Sequence, residues 1–87
     1  MVNQKIMINN PSGLHLRPAG NLCNEAMKYQ SAITFEYDGG TANAKSVLSV
    51  LGACIKCGYE IELICDGADE QEAMKALTDA ISGGLGE

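Results

Sequence analysis

His15 and Arg17 are the only histidine and the only arginine in the chain, and they lie in the stretch Gly13-Leu14-His15-Leu16-Arg17-Pro18-Ala19. A neutral imidazole nitrogen is a nucleophile, and a guanidinium binds phosphate oxygens with a planar pair of donors. Proline fits the first turn of a helix because its missing N–H is not needed there, so a helix is predicted to start here. Unpaired N–H groups and the helix dipole favour an anion at that end. The pattern predicts a site for a phosphoryl group carried on histidine.

Ser46 lies just before a second helical pattern. Serine is a preferred helix N-cap, and that role alone explains the residue. Gly20 lies inside the first helical pattern although glycine is a weak helix former, so its presence there requires an explanation. The sequence leaves two reasons open, a close approach by a partner or close packing against the protein's own loop.

Four cysteines are present, Cys23, Cys54, Cys57 and Cys65, and Cys54-Ile55-Lys56-Cys57 matches C-x-x-C. This spacing occurs in redox pairs and in zinc sites. A four-ligand zinc site would require Cys23 and Cys65 to converge on the pair, since no second C-x-x-C exists. We expect packing or incidental thiols, with no metal, no cofactor and no Cys54–Cys57 disulfide, and keep a thiol-redox or zinc module as an alternative.

Composition limits the class of protein. The 87 residues carry a net charge of −5, and the cations are dispersed singly along the chain. An acidic chain without a basic stripe is not expected to bind nucleic acid directly or to lie on a membrane surface. No apolar run reaches the length of a membrane span, and residues 1–5 show no hydrophobic signal segment. We expect a cytoplasmic protein with no membrane insertion, and nothing predicts more than a monomer.

Periodicity predicts seven elements. Apolar and polar residues alternate over residues 2–8, 33–37, 41–44 and 59–65, as in half-buried strands. Helical spacing groups Ala19, Leu22, Cys23, Ala26 and Met27, then Val47, Val50, Leu51, Cys54 and Ile55, then Ala73, Ala76, Leu77, Ala80 and Ile81. Gly58 is predicted to end the second helix and Gly83-Gly84 the third. Asp69 with Glu72 predicts a capping box at the start of the third.

The order strand, helix, strand, strand, helix, strand, helix predicts one α+β domain over residues 1–87. A four-stranded, mostly antiparallel sheet would keep one face open to solvent and bury the other under three helices. Glu60 and Glu62 then belong to the open face. Strand alternation explains these two carboxylates without any acid–base role.

Residues 13–19 resemble the active-site signature of HPr, the histidine-containing phosphocarrier family of the bacterial phosphoenolpyruvate-dependent sugar phosphotransferase system. Ala44-Lys45-Ser46-Val47-Leu48 resembles the second signature of this family, around the regulatory serine of its Gram-positive type. The likeness runs over the whole chain to Gly84-Leu85-Gly86-Glu87. It implies an open-faced β-sandwich with strand order 1-4-2-3.

The resemblance implies that His15 accepts a phosphoryl group from phosphorylated enzyme I on Nδ1 and passes it to the IIA domains of sugar permeases. Arg17 would clamp the phosphate, and Pro18 would start the helix. The implied docking surface around His15 consists of Leu16, Gly20, Val47, Leu48 and Leu51.

For Ser46, the resemblance implies ATP-dependent phosphorylation by an HPr kinase/phosphorylase. The modified chain would act as co-repressor for a catabolite-control transcription factor and become a poorer substrate for enzyme I. An alternative is a diverged paralogue that acts mainly as this Ser46-phosphorylated regulatory module.

Two departures from the family pattern stand out. Asn24 and Met27 occupy the side of the first helix where family members often carry basic residues, which leaves Lys28 and Lys45 as the near cations. Ala53-Cys54 replaces the usual Leu-Gly after the second helix.

Overall fold

The computed structural model describes residues 1–86, and Glu87, at the end of the predicted domain, lies outside the described residues. The elements follow the predicted order: β1 (Val2–Met7), α1 (Leu16–Ala26), β2 (Ala32–Tyr37), β3 (Gly40–Asn43), α2 (Val47–Gly52), β4 (Glu60–Asp66) and α3 (Glu70–Ser82). Within residues 1–86, none of the helices is both long and apolar enough to cross a membrane.

The four strands form one antiparallel sheet in the order β1-β4-β2-β3. β4 lies at the centre and pairs with β1 from Val2↔Cys65 to Met7↔Glu60. This α+β architecture and this strand order confirm the predicted fold class.

The core lies between the sheet and the helices. Alternate side chains of β2 and β4, Ile33, Phe35, Ile61, Leu63 and Cys65, are buried under the helices. Leu22 of α1 and Leu77 and Ile81 of α3 pack into the same cluster and are also fully buried. Glu60 is exposed and Glu62 partly so, because the polar positions of β4 face outward, as predicted.

Three predicted apolar positions, Met27, Cys54 and Tyr59, are exposed. Met27 is 63% exposed, because α1 ends at Ala26 and Met27 is its C-cap rather than part of the buried face. Tyr59 is 45% exposed and precedes β4. The backbone of Tyr59 bonds to the residue that follows β1, since the Tyr59 carbonyl accepts the Ile8 N–H at 2.8 Å.

The second helix is shorter than its periodicity predicted. α2 ends at Gly52, and the N–H groups of Ala53 and Cys54 close its last turn on the carbonyls of Val50 and Leu51. Cys54 then adopts a left-handed conformation with φ 55°. Gly58 therefore does not end this helix, and Ile55 is buried from a loop.

The predicted capping box of α3 is also wrong. Asp69 is the N-cap residue but makes no side-chain cap bond. Its carboxylate instead accepts the N–H groups of Gln30 at 2.8 Å and Ser31 at 2.9 Å, and the Ser31 hydroxyl also donates to it. These bonds hold the pKa of Asp69 below its ordinary value, and the bond from the Ser31 hydroxyl has the largest effect.

Candidate functional site

The loop before α1 is pinned to the loop after α2. The Leu14 N–H donates to the Ile55 carbonyl at 2.9 Å, and the Asn10 side chain donates to the Gly13 carbonyl at 2.5 Å. Gly13 has φ 65°, and a Cβ there would lie 2.5 Å from the Ile55 oxygen. Only glycine fits this close approach, so the backbone that leads to His15 has one well-defined path.

His15 is the N-cap residue of α1, and its carbonyl accepts the first helical bond, from the Ala19 N–H, at 2.8 Å. Its side chain is exposed and makes no cap hydrogen bond, so the imidazole is not used as a helix cap. The N–H groups of Leu16 and Arg17 lie in the first turn, where helices have no internal partners for them. Pro18 is buried in the same turn. His15 and Arg17 thus share the amino end of one helix, as predicted.

His15 lines an open depression of ≈ 380 Å³. The remaining wall is mostly apolar and comes from both loops and from α2: Ser12, Leu14, Leu51, Cys54, Ile55 and Lys56. A depression this open does not enclose a small substrate. It fits the apposition of another protein surface on the exposed imidazole.

The five predicted docking residues lie on α1 and α2, which pack against each other. Leu16 is 63% exposed and Leu48 is 82% exposed. Val47 and Leu51 are half-buried. A Cβ added at Gly20 would meet nothing within 4 Å outside its own helix. Close packing against a loop of this protein therefore does not explain Gly20 within residues 1–86, and the docking role of these five residues stays a prediction.

Ser46 caps α2 as its residue type predicted. Its hydroxyl oxygen accepts the Ser49 N–H at 3.2 Å, and its backbone is extended. The Cys23 thiol of α1 donates to the Lys45 carbonyl at 3.1 Å, which fixes the residue before the cap against α1. Ser46 is half-buried.

The two cations expected near the site are both engaged elsewhere. The Lys45 ammonium donates to the Tyr29 carbonyl at 2.7 Å. The Lys28 ammonium pairs with the Glu25 carboxylate at 3.2 Å. Asn24 and Met27 are exposed, so the side of α1 that they occupy presents no free positive charge.

The four thiols fall into two pairs. Cys23 and Cys65 are buried. The pKa of the Cys65 thiol is raised, mainly because the thiol is buried and also because of the nearby negative charge of Glu70. Cys54 and Cys57 are exposed and unbonded. Among residues 1–86, no group of three or more cysteine, histidine or acidic side chains converges as metal ligands would. Cys23 and Cys65 are thus packed in the interior, one of the two expected roles, and for Cys54 and Cys57 the expectation of incidental thiols stays a prediction.

Sequence reasoning missed the contribution of the loop after α2. Periodicity predicts a helix through Ile55, and no motif includes Lys56, yet both residues line the depression beside His15. The available signal was the distribution of charge, since residues 1–24 and 39–59 contain no carboxylate side chain.

An open-faced α+β sandwich of this strand order, with an exposed histidine at a helix N-terminus, is what the resemblance to the histidine phosphocarriers predicts. The family described as "PTS HPr component phosphorylation site" matches residues 2–82. The chain belongs to the HPr family and is a phosphocarrier of the phosphotransferase-system type.

Relatives agree with this assignment over the full length of the chain. Phosphocarrier protein HPr of Neisseria meningitidis serogroup A is 39% identical over 87 residues, covering 100% of this chain and 98% of its own. A crystal structure of HPr from Thermoanaerobacter tengcongensis has a TM-score of 0.96 at 39% identity, covering 100% and 98% of the two chains.

A third relative has a different name. The HPr-like protein Crh of Bacillus subtilis is 39% identical over 77 residues, which cover 88% of this chain and 91% of its own. A crystal structure of that protein, described as a catabolite repression protein, is an intertwined dimer with a swapped domain. It has a TM-score of 0.77 and 36% identity and covers 97% of each chain.

Proposed function

We propose that His15 accepts a phosphoryl group from phosphorylated enzyme I and passes it to IIA domains of sugar permeases. The observation that carries the proposal is the exposed His15 imidazole, which makes no cap bond at the amino end of α1 and lies two residues before Arg17. Catalytic turnover then requires the partner enzymes, and the chain itself is a covalent carrier with no cofactor.

The chemistry at His15 follows from its position. The tautomer with its proton on Nε2 leaves the Nδ1 lone pair free to attack phosphorus. The new P–Nδ1 bond forms as the bond from phosphorus to the donor breaks, and the reverse exchange delivers the group to the next acceptor. Such transfers depend mainly on positioning and charge stabilisation. The first-turn N–H groups of α1 and the Arg17 fork supply both to the phosphoryl oxygens.

The partner proteins are proposed to dock on the exposed apolar residues that surround His15. Leu16 follows His15 in the chain, and Leu48 lies three residues before Leu51, which lines the depression. Both leucines are exposed to solvent, and exposed apolar patches mark interaction surfaces. Removing one anchor of a docking patch typically costs more than 1 kcal/mol of binding, so Leu48→Ala is expected to raise KM about tenfold. We further propose a cytoplasmic monomer that neither binds nucleic acid directly nor inserts into membranes.

A two-stage transfer experiment tests the carrier role. The chain is incubated with enzyme I and labelled phosphoenolpyruvate, separated from them, and mixed with an unlabelled IIA domain. Label is expected on the chain first and on the IIA domain afterwards. Arg17→Lys should slow both stages, because lysine keeps the charge but not the planar fork. Label that enters the chain but never leaves it would contradict a carrier.

Ser46 is proposed as a second phosphorylation site, modified by HPr kinase/phosphorylase with ATP. A phosphate at this residue adds close to two negative charges beside the docking surface. The expected result is slower phosphorylation by enzyme I. Ser46→Asp should reproduce part of this loss, while Ser46→Asn keeps a capping side chain without the charge and serves as control.

A mainly regulatory role is the second candidate function, favoured by the similarity to Crh. In that case Ser46-phosphorylated chain binds a catabolite-control transcription factor, and transfer through His15 is incidental. Binding of that factor by kinase-treated wild type, but not by treated Ser46→Ala, supports the regulatory role. Efficient two-stage transfer by the same preparation shows that the roles coexist.

A further inference from the structure

Lys56 lies at the depression that His15 lines. The residue is exposed, and within residues 1–86 its ammonium forms no ion pair. By contrast, Lys28 and Lys45 already have partners at 3.2 Å and 2.7 Å. Lys56 is thus a free cation in the wall of the depression that holds His15.

The distribution of carboxylates isolates this charge further. Residues 1–24 and 39–59 carry Lys5, Arg17, Lys45 and Lys56 and no acidic side chain. The acidic residues lie elsewhere: Glu25 is near the carboxyl end of α1, Asp38 is in the turn between β2 and β3, and the others are on the strands of the sheet or on and around α3, for example Glu36, Glu60, Glu62, Glu72 and Asp79. Lys5 lies on the open sheet face beside Glu36 and Glu62. Lys56 is the fully charged side chain in the lining of the depression, and Arg17 lies two residues from His15, so the charges that the described residues place near His15 are cationic although the chain has a net charge of −5.

The apolar wall around Lys56 strengthens its effect. Leu14 and Ile55 are buried in that wall, and Leu51 is half-buried. When a partner covers the depression, water is displaced and a charge pair there is screened less than one on an open surface. Because no carboxylate among residues 1–86 pairs with the Lys56 ammonium, a carboxylate of the partner that reaches the depression can form an ion pair with it.

We infer that Lys56 promotes productive docking of phosphorylated enzyme I at His15, by pairing with a carboxylate on the docking surface of that partner. The inference rests on the proposed function and adds a residue outside both signature motifs. Lys56 touches no reacting atom in this account. Lys56 affects how often the partner binds and in which orientation, so its substitution is expected to lower kcat/KM and to leave kcat unchanged.

The test compares two charge reversals that change the net charge equally. Initial rates of His15 phosphorylation by enzyme I are measured against chain concentration for wild type, Lys56→Glu and Lys75→Glu. Lys75 lies on α3 in an exposed pair with Asp79 at 3.3 Å and is the matched control. Lys56→Glu is expected to lower kcat/KM about tenfold at low ionic strength with kcat unchanged, and Lys75→Glu less than about twofold.

Salt and a conservative variant separate charge from misfolding. The Lys56→Glu deficit should shrink as sodium chloride rises to about 0.5 M, since ions screen the lost attraction. Lys56→Arg should retain the wild-type rate. Equal effects of the two reversals, a deficit insensitive to salt, or a loss confined to kcat would overturn the inference. Wild type that takes up no phosphate would instead overturn the proposed function, and the inference with it.

Discussion

Cys54 has a backbone conformation that its residue type disfavours. Its φ of 55° lies in the left-handed region, just past the end of α2. An L side chain in that region costs about 1–2 kcal/mol, whereas glycine enters it freely. The family resemblance places glycine after the second helix, and the structure shows the physical reason for that preference.

Cys54→Gly is therefore expected to stabilise the fold by up to about 1 kcal/mol, which corresponds to about 4–8 °C in Tm for a domain of this size. Cys57→Gly is the matched control, because Cys57 is also exposed but is not among the residues of positive φ. It is expected to lose about 0.5–1 kcal/mol through added chain entropy. Thermal unfolding under reducing conditions measures both, and shifts of the same sign would refute this explanation.

The positions of most of the candidate site residues could be predicted from the sequence. His15, Arg17 and Pro18 were placed correctly at the start of one helix, because proline and the apolar spacing after it are local signals. For Lys56, the absence of nearby carboxylates in the sequence was the available signal, but its place beside His15 could not be predicted, because it depends on a loop that bonds back to Leu14.

Among the elements, Asp69 connects the start of α3 to the chain just before β2. The predicted capping box failed because the carboxylate is used by residues 30 and 31, far away in the sequence. The predicted length of α2 failed for a similar reason. The Ile55 carbonyl supports Leu14, and a longer helix would remove that acceptor from the loop. Helical periodicity could report neither fact, since both are tertiary contacts.

Acid titration tests the Asp69 connection. The folded-state pKa of Asp69 is lowered, so its stabilisation is present above the unfolded-state pKa of about 3.9 and is lost as pH falls toward the folded-state pKa. Asp69→Asn is expected to be less stable at pH 7 and to lose less stability between pH 7 and pH 3. Urea unfolding at several pH values measures this.

Asp79→Asn, in an exposed pair on α3, is the control and should follow the wild-type pH profile closely. Glu70 also has a lowered pKa, chiefly from its bond to the amino terminus, so some acid dependence remains in the Asp69 variant. Parallel pH profiles for wild type and Asp69→Asn would contradict the account.

In the molecule as a whole, the residues that form the core and the candidate functional residues lie in different places. The sheet and the buried faces of the helices form the core, while His15, Arg17 and Lys56 are exposed at the amino end of α1 and in the loop after α2. The seven-element order and the sheet with one open face were predictable, because the strands alternate clearly. The strand order 1-4-2-3 was available only through the family resemblance, since pairing across long connections has no local signal.

A monomer is expected in solution. β1 pairs with the inner strand β4 along its whole length. The amino terminus also contacts the Glu70 carboxylate at 2.9 Å, so the start of this strand is held to the same copy of the chain. Sedimentation velocity from low to high micromolar concentration should give one species with the mass of a monomer, 9.2 kDa. A stable dimer like that of Crh would contradict this expectation and point to exchange of an element between copies.

The measurement that tests the central claim most directly is the intact mass of the chain after incubation with enzyme I and phosphoenolpyruvate. Wild type is expected to gain one phosphate that survives at alkaline pH and is lost in acid, as a phosphorus–nitrogen bond requires. His15→Ala, an exposed substitution that leaves the core intact, should gain none. An unmodified wild type, or an equal gain on His15→Ala, would contradict the assignment of His15 as the phosphoryl acceptor.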